Sequence, residues 1–324
     1  MRTTMINIIE TTKHVSLNSR LVSINREALS KFCHQILNDG IRVPPWARCC
    51  HFFDGGEKTA AYLLVLDSIN FCFWAPTGKT LWEIDLKGLR LSGYYALAAA
   101  LKKAMEDSIP ITDPAFLSSV TEKELAGILG GVGELQLMYE RAKILRETGE
   151  RLKNLFHGKT AELISAAGGS SVKLVSILTS YFPSFKDEAT HNGRKVFFYK
   201  RAQLLAADLH GSFKGMGLGH FGDIDQLTAF ADYKLPQVLR HLGIIRYSSE
   251  LEKMVDFGQL LAPGSVEEVE IRANTIVAIE QIKEVLLGLG RPIRSYEIDW
   301  MLWNMGQSSE FKKKPYHRTV SIYY

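Results

Sequence analysis

Asp232 lies in a glycine-rich stretch, residues 215–245, where two short predicted helices meet. Pro236 follows it closely, and a proline ring is tolerated in the first turn of a helix but not in its interior. The second helix is therefore predicted to begin near Leu235 or Pro236, with Asp232 in the bend before it. A carboxylate in such a bend can stabilise a cation or deprotonate a water molecule. It can equally cap the helix and balance its dipole, and the position alone leaves both roles open.

The elements around this bend are predicted to be mainly helical. Apolar residues recur at helical spacing over Arg26–Asn38, and Asp39-Gly40 provides the stop. Thr121 and Glu124 form a capping box at the start of another helix.

Three further segments are also predicted to be helical. Val196–His210 and Ile224–Phe230 are predicted as helices, and Asp223 and Asp225 are typical of a helix start. Ala60–Trp74 is almost wholly apolar and is interpreted as a buried helix. A central strand is the competing interpretation, because periodicity does not separate the two for such a run.

One segment alternates instead of following a helical repeat. Apolar and polar residues alternate over Thr80–Ser92, and Lys87-Gly88 supplies a turn, which predicts a β-hairpin. We therefore expect a single, mainly α domain over residues 1–324 with a small β-hairpin.

The composition favours a small anionic ligand over duplex nucleic acid. The chain has 324 residues, 46% of them hydrophobic, which is enough to bury a large core. Its 39 basic and 35 acidic residues give a formal charge of +4. Domains that bind duplex nucleic acid usually carry a larger excess of basic over acidic residues, because contacts between basic side chains and phosphates supply much of their affinity. A few basic groups suffice for a metabolite.

The cysteines and the apolar runs predict a cytoplasmic protein with no membrane partner. The four cysteines, Cys33, Cys49, Cys50 and Cys72, form no Cys-x-x-Cys pair, which favours a reducing compartment. Residues 1–12 lack the apolar core of a signal peptide. No apolar run reaches the roughly 18 residues that a membrane helix requires. The sequence does not indicate an oligomeric state.

No metal or cofactor is expected. The nine histidines show no pair at ligand spacing and do not cluster with cysteines or acids. The glycines of residues 215–219 are not followed by the Gly-Lys-Ser/Thr of a phosphate-binding loop. Their context is also helical, unlike that of a dinucleotide-binding fold.

The spacing that follows Asp232 resembles a known catalytic segment. Asp232, six residues, Leu239, two residues and Leu242-Gly243 are similar to the segment around the catalytic aspartate in helix-hairpin-helix DNA glycosylases. Those enzymes cut an N-glycosidic bond. The glycine-rich residues 215–222 depart from that family, because they lack its Leu-Pro-Gly-x-Gly hairpin.

A second resemblance covers nearly the whole chain and is more specific. Unusual strings occur in a fixed order: Asn70–Trp74, Ile109–Phe116, Phe182–Asp187, Tyr199–Gln203, Phe230–Gln237 and His317–Tyr324. In these strings the sequence resembles the queuosine-salvage protein family. The resemblance implies a helical fold like that of the DNA glycosylases, and a hydrolase that releases queuine from queuosine 5′-phosphate for tRNA modification.

The implied reaction assigns roles to two acids. Cleavage builds positive charge on the ribose C1′, and Asp232 is the residue we expect beside it. Queuine is a 7-deazaguanine, which has carbon in place of N7, so the leaving base cannot be protonated at that position. A second carboxylate that accepts from the guanine-like N1–H and N2–H groups is therefore expected. Asp208, in the apolar residues 204–209, is the first candidate and Asp67 the second, although either can be a structural or an exposed acid.

Other side chains are candidates for binding the same substrate. Asn70 offers hydrogen bonds, and Phe71 and Trp74 offer stacking faces, with plain core packing as the alternative. Tyr233 or Lys234 can contact the sugar. The 5′-phosphate requires cations or helix N-termini. The basic candidates are Lys200, Arg201, Lys234, His317 and Arg318, and any of these lysines or arginines can equally be a surface charge.

Residues 317–324 mix polar and aromatic groups, unlike a solvated chain end. We expect this segment to dock on the body of the protein, because burial of its aromatic rings is favourable. Docking would bring Arg318 near the ligand. A frayed terminus is the alternative.

Two other functions stay open. A DNA glycosylase or lyase would use Lys214 as an imine-forming amine, but the near balance of charge disfavours it. A non-catalytic protein would bind a modified nucleoside and leave it intact, and Asp232 would then be structural.

Overall fold

The computed structural model describes residues 4–46 and 49–324 and is mainly α-helical, as the sequence predicted. The α-helices are α1 (Thr4–Asn18), α2 (Arg26–Asn38), α3 (Glu57–Ser68), α4 (Gly93–Glu106), α5 (Pro114–Leu117), α6 (Glu122–Leu129), α7 (Met138–Leu155), α8 (Thr160–Ser165), α9 (Ser171–Tyr181), α10 (Lys200–Ser212), α11 (Lys234–His241), α12 (Ser249–Asp256), α13 (Val266–Gly288) and α14 (Ser295–Met305). The strands are β1 (Val22–Ile24), β2 (Glu83–Leu86), β3 (Leu89–Ser92), β4 (Glu188–His191), β5 (Arg194–Phe197) and β6 (Ile245–Tyr247). Within the described ranges, no helix combines the length and the apolar character needed to cross a membrane.

The described residues fall into two compact units, each built from separated stretches of sequence. The first unit lies within Met1–Pro45, Asp187–Gln203 and Asp225–Val320. The second lies within Trp46–Lys186, Leu204–Ile224 and Ser321–Tyr324. The single domain expected over residues 1–324 stays a prediction.

The first unit is organised around α13. Helices α1, α2, α11 and α14 pack against it, and it is buried on all sides over most of its length. A helix in such a position is normally apolar all round, yet the buried residues of α13 include Glu268, Glu270, Arg272 and Asn274. Buried charges must be paired, so these side chains are expected to hold other parts of the unit. Strand β1 pairs antiparallel with β6, with Val22 opposite Tyr247.

The second unit packs α3 against α4, α7 and α8. Strands β2 and β3 form the hairpin predicted from the alternating residues, with Glu83 opposite Ser92. The turn falls at Lys87 and Gly88, whose φ angles are 53° and 86°. Glycine adopts this left-handed conformation without a steric penalty, which explains why the turn forms there.

Strands β4 and β5, in the first unit, form a second hairpin that was not predicted.

Two helix boundaries agree with the sequence in detail. Helix α2 spans Arg26–Asn38, and the Asn25 side chain accepts hydrogen bonds from the amides of Glu27 and Ala28 at its start. The capping box of Thr121 and Glu124 is present at the start of α6. Local capping chemistry suffices to place these ends.

Three predicted helices differ from the structure. The helix predicted over Ala60–Trp74 is wrong beyond Ser68, because residues 69–74 leave the helix. Arg141 of α7 donates to the carbonyls of Ile69, Phe71 and Cys72 there, which satisfies backbone groups that a helix would have paired.

The helix predicted over Val196–His210 begins later, at Lys200, because Val196 and Phe197 belong to β5. The carbonyl of Asp187 accepts from the amides of Phe198 and Tyr199, and Tyr199 has a φ of 50°. Ile224–Phe230 contains only a short 3-10 helix, Ile224–Gln226. Residues 227–232 have no regular structure.

Replacement of Gly149 by alanine is expected to destabilise the second unit. A β-carbon at Gly149 in α7 would lie 2.6 Å from the carbonyl oxygen of Pro114 and 2.7 Å from the amide nitrogen of Ser118. Both are backbone atoms of the segment that carries α5, so the helices must separate, at a cost of about 1–3 kcal/mol. Urea unfolding measures this change.

Gly127→Ala is the matched control, because a β-carbon at Gly127 in α6 meets no atom within 4 Å. That variant is expected to be stabilised by about 0.5–1 kcal/mol, as alanine favours helices. Equal stabilities of the two variants would contradict the close packing of α5 on α7.

Candidate active site

Asp232 lies in the bend before α11, where the position of Pro236 placed it. Its Oδ1 accepts hydrogen bonds from the amides of Lys234 and Leu235, at 2.7 and 3.0 Å. The capping role left open by the sequence is therefore present. Within the described residues Oδ2 accepts no hydrogen bond, and 9% of the residue stays exposed. A water molecule or a ligand atom can reach a carboxylate that is held in one orientation by its other oxygen.

The environment of Asp232 makes it a stronger base than an ordinary aspartate. Burial raises its pKa, and the charge of Lys200, the two capping amides and the charge of Lys234 oppose that effect without cancelling it. A carboxylate with a raised pKa accepts a proton more readily, as a general base requires. The charges of Lys200 and Lys234 favour its ionised form.

Lys234 lies in an aromatic setting. Its Nζ donates to Oε1 of Gln237 at 3.2 Å and lies 5.6 Å from the ring centroid of Tyr316. The rings of Tyr316 and Tyr233 are 4.9 Å apart. Burial lowers the pKa of Lys234, Asp232 opposes this, and the charge of Lys312 lowers it further. Lys234 and Lys312 therefore repel each other in this structure, and an anion near both would relieve that repulsion.

Lys200 is buried at the start of α10. Its backbone amide donates to Oδ2 of Asp187 at 3.2 Å, so a carboxylate caps this helix start. Its side-chain charge acts on Asp232. The structure thus brings Lys200, Lys234 and Asp232 into one electrostatic group.

His317 and Arg318 are adjacent but differ in charge and in burial. Burial, together with the charge of Arg272, lowers the pKa of His317 to about 3. The imidazole is therefore neutral near pH 7 and carries no positive charge. Arg318 is partly exposed, and its carbonyl accepts from the amide of Leu261 at 2.8 Å.

In the second unit, Asp208 of α10 is held by two aromatic residues. Nε1 of Trp46 donates to Oδ1 at 3.3 Å, and the hydroxyl of Tyr94 donates to Oδ2 at 3.1 Å. Nε2 of His51 lies 2.8 Å from the same hydroxyl. Asp208 is thus a buried acid that is held by hydrogen-bond partners.

Asp67 and Asn70 extend this polar group. Nδ2 of Asn70 donates to Oδ1 of Asp67 at 3.4 Å. Burial raises the pKa of Tyr94 well above its ordinary value, and the charges of Asp208 and Asp67 raise it further. Both acids therefore act on one phenol, which keeps Tyr94 protonated and able to donate.

Phe71 and Trp74, the two aromatic candidates for stacking, are both buried but have different neighbours. The guanidinium of Arg141 lies 4.3 Å from the ring centroid of Phe71, and Phe71 is buried. This is the packing alternative that the sequence left open for Phe71. Trp74 is also buried, and its carbonyl accepts a hydrogen bond from Gln136.

Several residues near these acids were not singled out from the sequence. Trp46 and Tyr94 reach Asp208 from positions more than 100 residues away along the chain, and His51 contacts Tyr94, so no spacing rule connects them to Asp208. Arg272 is different, because a charge in the middle of a long apolar helix is itself a signal for a buried ion pair. Within residues 4–46 and 49–324, no group of three or more His, Cys, Asp or Glu side chains is arranged to hold a metal ion.

Comparisons with known proteins give one consistent result. A family model described as queuosine salvage protein matches residues 50–324 of the chain. A Sphaerobacter thermophilus protein named queuosine 5′-phosphate N-glycosylase/hydrolase is 45% identical over 319 residues, covering 98% of each chain.

Eukaryotic proteins of the same name show comparable coverage. The Dictyostelium discoideum protein is 38% identical over 328 residues, which is 97% of this chain and 98% of its own. The Mus musculus protein is 36% identical over 330 residues, again 97% of this chain and 98% of its own.

Proposed function

Since the chain belongs to the queuosine salvage protein family, we propose that it hydrolyses the N-glycosidic bond of queuosine 5′-phosphate, releasing queuine and ribose 5-phosphate. The observation that carries this proposal is similarity over almost the full length to proteins named for that activity. The setting of Asp232 fits the chemistry, because hydrolysis of such a bond needs a carboxylate beside a developing cation.

Asp232 is our proposed catalytic residue. As the bond from C1′ to the base nitrogen breaks, its electron pair leaves with queuine and positive charge develops on the ribose. The Asp232 carboxylate stabilises that charge, and it takes a proton from the water molecule whose oxygen bonds to C1′. The departing base takes up a proton from solvent and Asp232 returns its proton to solvent, so that neutral queuine is released and the carboxylate is restored. The amides of Lys234 and Leu235 donate to Oδ1 and so hold the carboxylate in one orientation.

Asp208 is our proposed partner for the departing base. Queuine carries carbon at the position of purine N7, so its negative charge must be stabilised elsewhere on the ring. A carboxylate that accepts from the N1–H and N2–H groups orients the base. The hydrogen bonds from Trp46 and Tyr94 keep Asp208 in place for this task. Asp67 is second in rank, with Asn70 and Trp74 as further contacts to the base.

The 5′-phosphate is proposed to bind the lysines near Asp232. Lys200 and Lys234 both act on Asp232, and Lys312 acts on Lys234, so positive charge is concentrated there. Tyr233 contacts the sugar in this proposal, Arg318 adds charge, and the neutral His317 contributes a hydrogen bond. Remote binding energy of this kind can orient the reacting sugar.

We also propose that the protein acts in the cytoplasm on this small molecule and not on duplex nucleic acid. All four cysteines are free, which suits a reducing compartment. The formal charge of +4 is small for a duplex-binding domain. A gel-shift assay with duplex DNA at physiological salt, run beside the hydrolysis assay, tests this part.

Queuosine lacking its 5′-phosphate is expected to be a poorer substrate. A charge-assisted contact contributes roughly 1.5–3 kcal/mol, so kcat/KM should fall about 10- to 10²-fold. Steady-state rates with queuosine and with its 5′-phosphate measure the ratio. Equal kcat/KM for the two compounds would contradict a phosphate site.

The variant Lys234→Met tests whether Lys234 is part of the proposed phosphate site. It should lower kcat/KM for the phosphorylated compound far more than for the nucleoside. Lys253→Met, which removes an exposed lysine of α12, should leave both values unchanged.

A further inference from the structure

The segment that leads into Asp232 is irregular yet buried. Residues 227–232 have no regular secondary structure, and residues 227–231 are at most 3% exposed. Buried backbone amides and carbonyls outside helices and sheets must find partners among side chains or water. The partners of this segment therefore determine where Asp232 lies.

Three buried side chains supply these partners. Oε1 of Gln203 accepts from the amide of Thr228 at 2.8 Å. Oδ2 of Asp299 accepts from the amide of Phe230 at 2.7 Å. Nε of Arg272 donates to the carbonyl of Ala231 at 3.0 Å. The last contact is made to the residue that directly precedes Asp232.

Arg272 is also bound on its other side. Its Nη1 and Nη2 donate to Oδ1 and Oδ2 of Asp187 at 2.9 and 2.6 Å. Nη1 also lies 3.3 Å from Oε1 of Glu268, and the guanidinium lies 3.9 Å from the ring centroid of Phe198. A planar guanidinium with this many partners is fixed in one orientation.

Asp187 carries the connection to Lys200. The same Oδ2 that binds Arg272 accepts from the backbone amide of Lys200 at 3.2 Å. Arg272 therefore joins two points: the residue before Asp232, and the start of the helix that carries Lys200. The charge of Lys200 is the largest effect that lowers the pKa of Asp232 against burial.

We propose that Arg272 is a positioning residue that holds the Asp232 carboxylate and Lys200 in their working arrangement. This role rests on the proposed function of Asp232. Arg272 does not touch substrate; it acts through Ala231 and Asp187. Displacement of a reacting group by about 1 Å can cost about 10²-fold in rate, so a residue of this kind has a large effect without entering the chemistry.

The charged groups around this arrangement define the readout. Asp232 is acted on by Lys200 of α10 and Lys234 of α11. Arg272 faces Asp187 and Glu268, and its charge acts on the neutral His317. If Lys200 moves away, the ionised form of Asp232 is stabilised less, so the pKa of Asp232 rises further. The fall of the rate on the acid side of the pH profile (its acid limb) then moves to higher pH.

Arg272→Lys tests the proposal. Lysine keeps the positive charge beside Asp187. It lacks the planar guanidinium group, whose nitrogens bind Asp187 and the carbonyl of Ala231 at the same time. We expect kcat for base release to fall about 10- to 10²-fold, and the acid limb of kcat to move to higher pH. If Arg272→Lys does not fold, Asp187→Asn replaces it, because that variant removes the charge that links Arg272 to Lys200.

Arg240→Lys is the matched control. Arg240 is another buried arginine of the first unit, and it binds Glu252 and Asp256 at 2.9 and 2.7 Å. None of its described hydrogen bonds or ion pairs involves residues 227–232. This variant should melt earlier than the wild type while keeping its kcat and pH profile.

The outcomes separate the two proposals. A folded Arg272→Lys protein with wild-type kcat and pH profile overturns the positioning role. A lower kcat with an unmoved acid limb also overturns it, since that result shows only general destabilisation. If Asp232→Asn is fully active, the proposed function of Asp232 fails first. If Asp232→Asn is inactive while the Arg272 variant is normal, the positioning role alone fails.

Discussion

Replacement of Asp232 by asparagine is expected to lower base release by about 10²-fold or more. The change keeps the size of the side chain and removes the charge that would stabilise the ribose cation. The asparagine carbonyl can still accept from the amides of Lys234 and Leu235, as Oδ1 does now. The variant is therefore expected to fold, and circular dichroism with a melting curve checks this.

The pH dependence gives a second view of the same residue. Burial raises the pKa of Asp232, and the carboxylate is the form that we propose to be active. Activity of the wild type should therefore fall as pH decreases through that raised pKa, above the ordinary value of about 3.9. The residual activity of Asp232→Asn should lack this acid limb. Wild-type turnover by the variant would remove Asp232 from the mechanism.

Asp225→Asn is the matched control for this experiment. Asp225 lies seven residues upstream, exposed in the short 3-10 helix Ile224–Gln226, and the substitution is chemically the same. We expect wild-type rates from Asp225→Asn. A loss comparable to that of Asp232→Asn would show that any acid in this stretch matters equally.

Deletion of residues 317–324 is expected to abolish activity and lower the melting temperature. His317, Thr319 and Tyr324 are each at most 2% exposed, so the docking predicted from the sequence is confirmed. In the second unit, the carbonyl of Tyr324 accepts from the amide of Cys72 at 2.9 Å. Burial of one large aromatic side chain contributes about 3 kcal/mol, and the loss of several buried residues is correspondingly larger.

The same deletion also affects the residues proposed to bind substrate. Cys72 lies between Asn70 and Trp74, so loss of its partner loosens both of these proposed contacts. Deleting Tyr324 alone should give an intermediate loss. Lys313→Ala, which changes an exposed residue just before the segment, should leave melting and activity unchanged.

Two measurements decide the role of this segment. A truncated protein with unchanged melting temperature and full activity would contradict its contribution to stability. A protein that melts earlier but still cleaves saturating substrate would leave the segment structural and remove Arg318 from the site.

The sequence predicted the features that depend on local chemistry. Pro236 placed the start of α11 correctly, and hence the bend that contains Asp232. Alternating residues and Lys87-Gly88 placed the β2–β3 hairpin. Each of these features depends on residues that are close in the chain, and turn and capping rules describe such features well.

The predictions failed where distant side chains determine the backbone. Residues 69–74 look helical in sequence, but Arg141 of α7 binds their carbonyls. Residues 227–230 look helical too, but Gln203 and Asp299 bind their amides. No local pattern contains these partners. Buried side chains override local propensity here, because an unsatisfied backbone group costs more than a helix residue contributes.

The candidate site shows the same division. Asp232 and Asp208 were proposed from their own surroundings in the sequence. The effect of Lys200 on Asp232 and the hydrogen bond from Tyr94 to Asp208 were not predicted, because these residues lie far apart in the chain. The relation to helix-hairpin-helix DNA glycosylases, drawn from the spacing after Asp232, stays a prediction.

The central claim is tested most directly by incubating the purified protein with queuosine 5′-phosphate and analysing the products by mass spectrometry. The account predicts free queuine and ribose 5-phosphate in equal amounts, and almost none from the Asp232→Asn protein prepared in the same way. Recovery of the nucleotide intact, bound or unbound, would contradict the account and favour a protein that only binds a modified nucleoside.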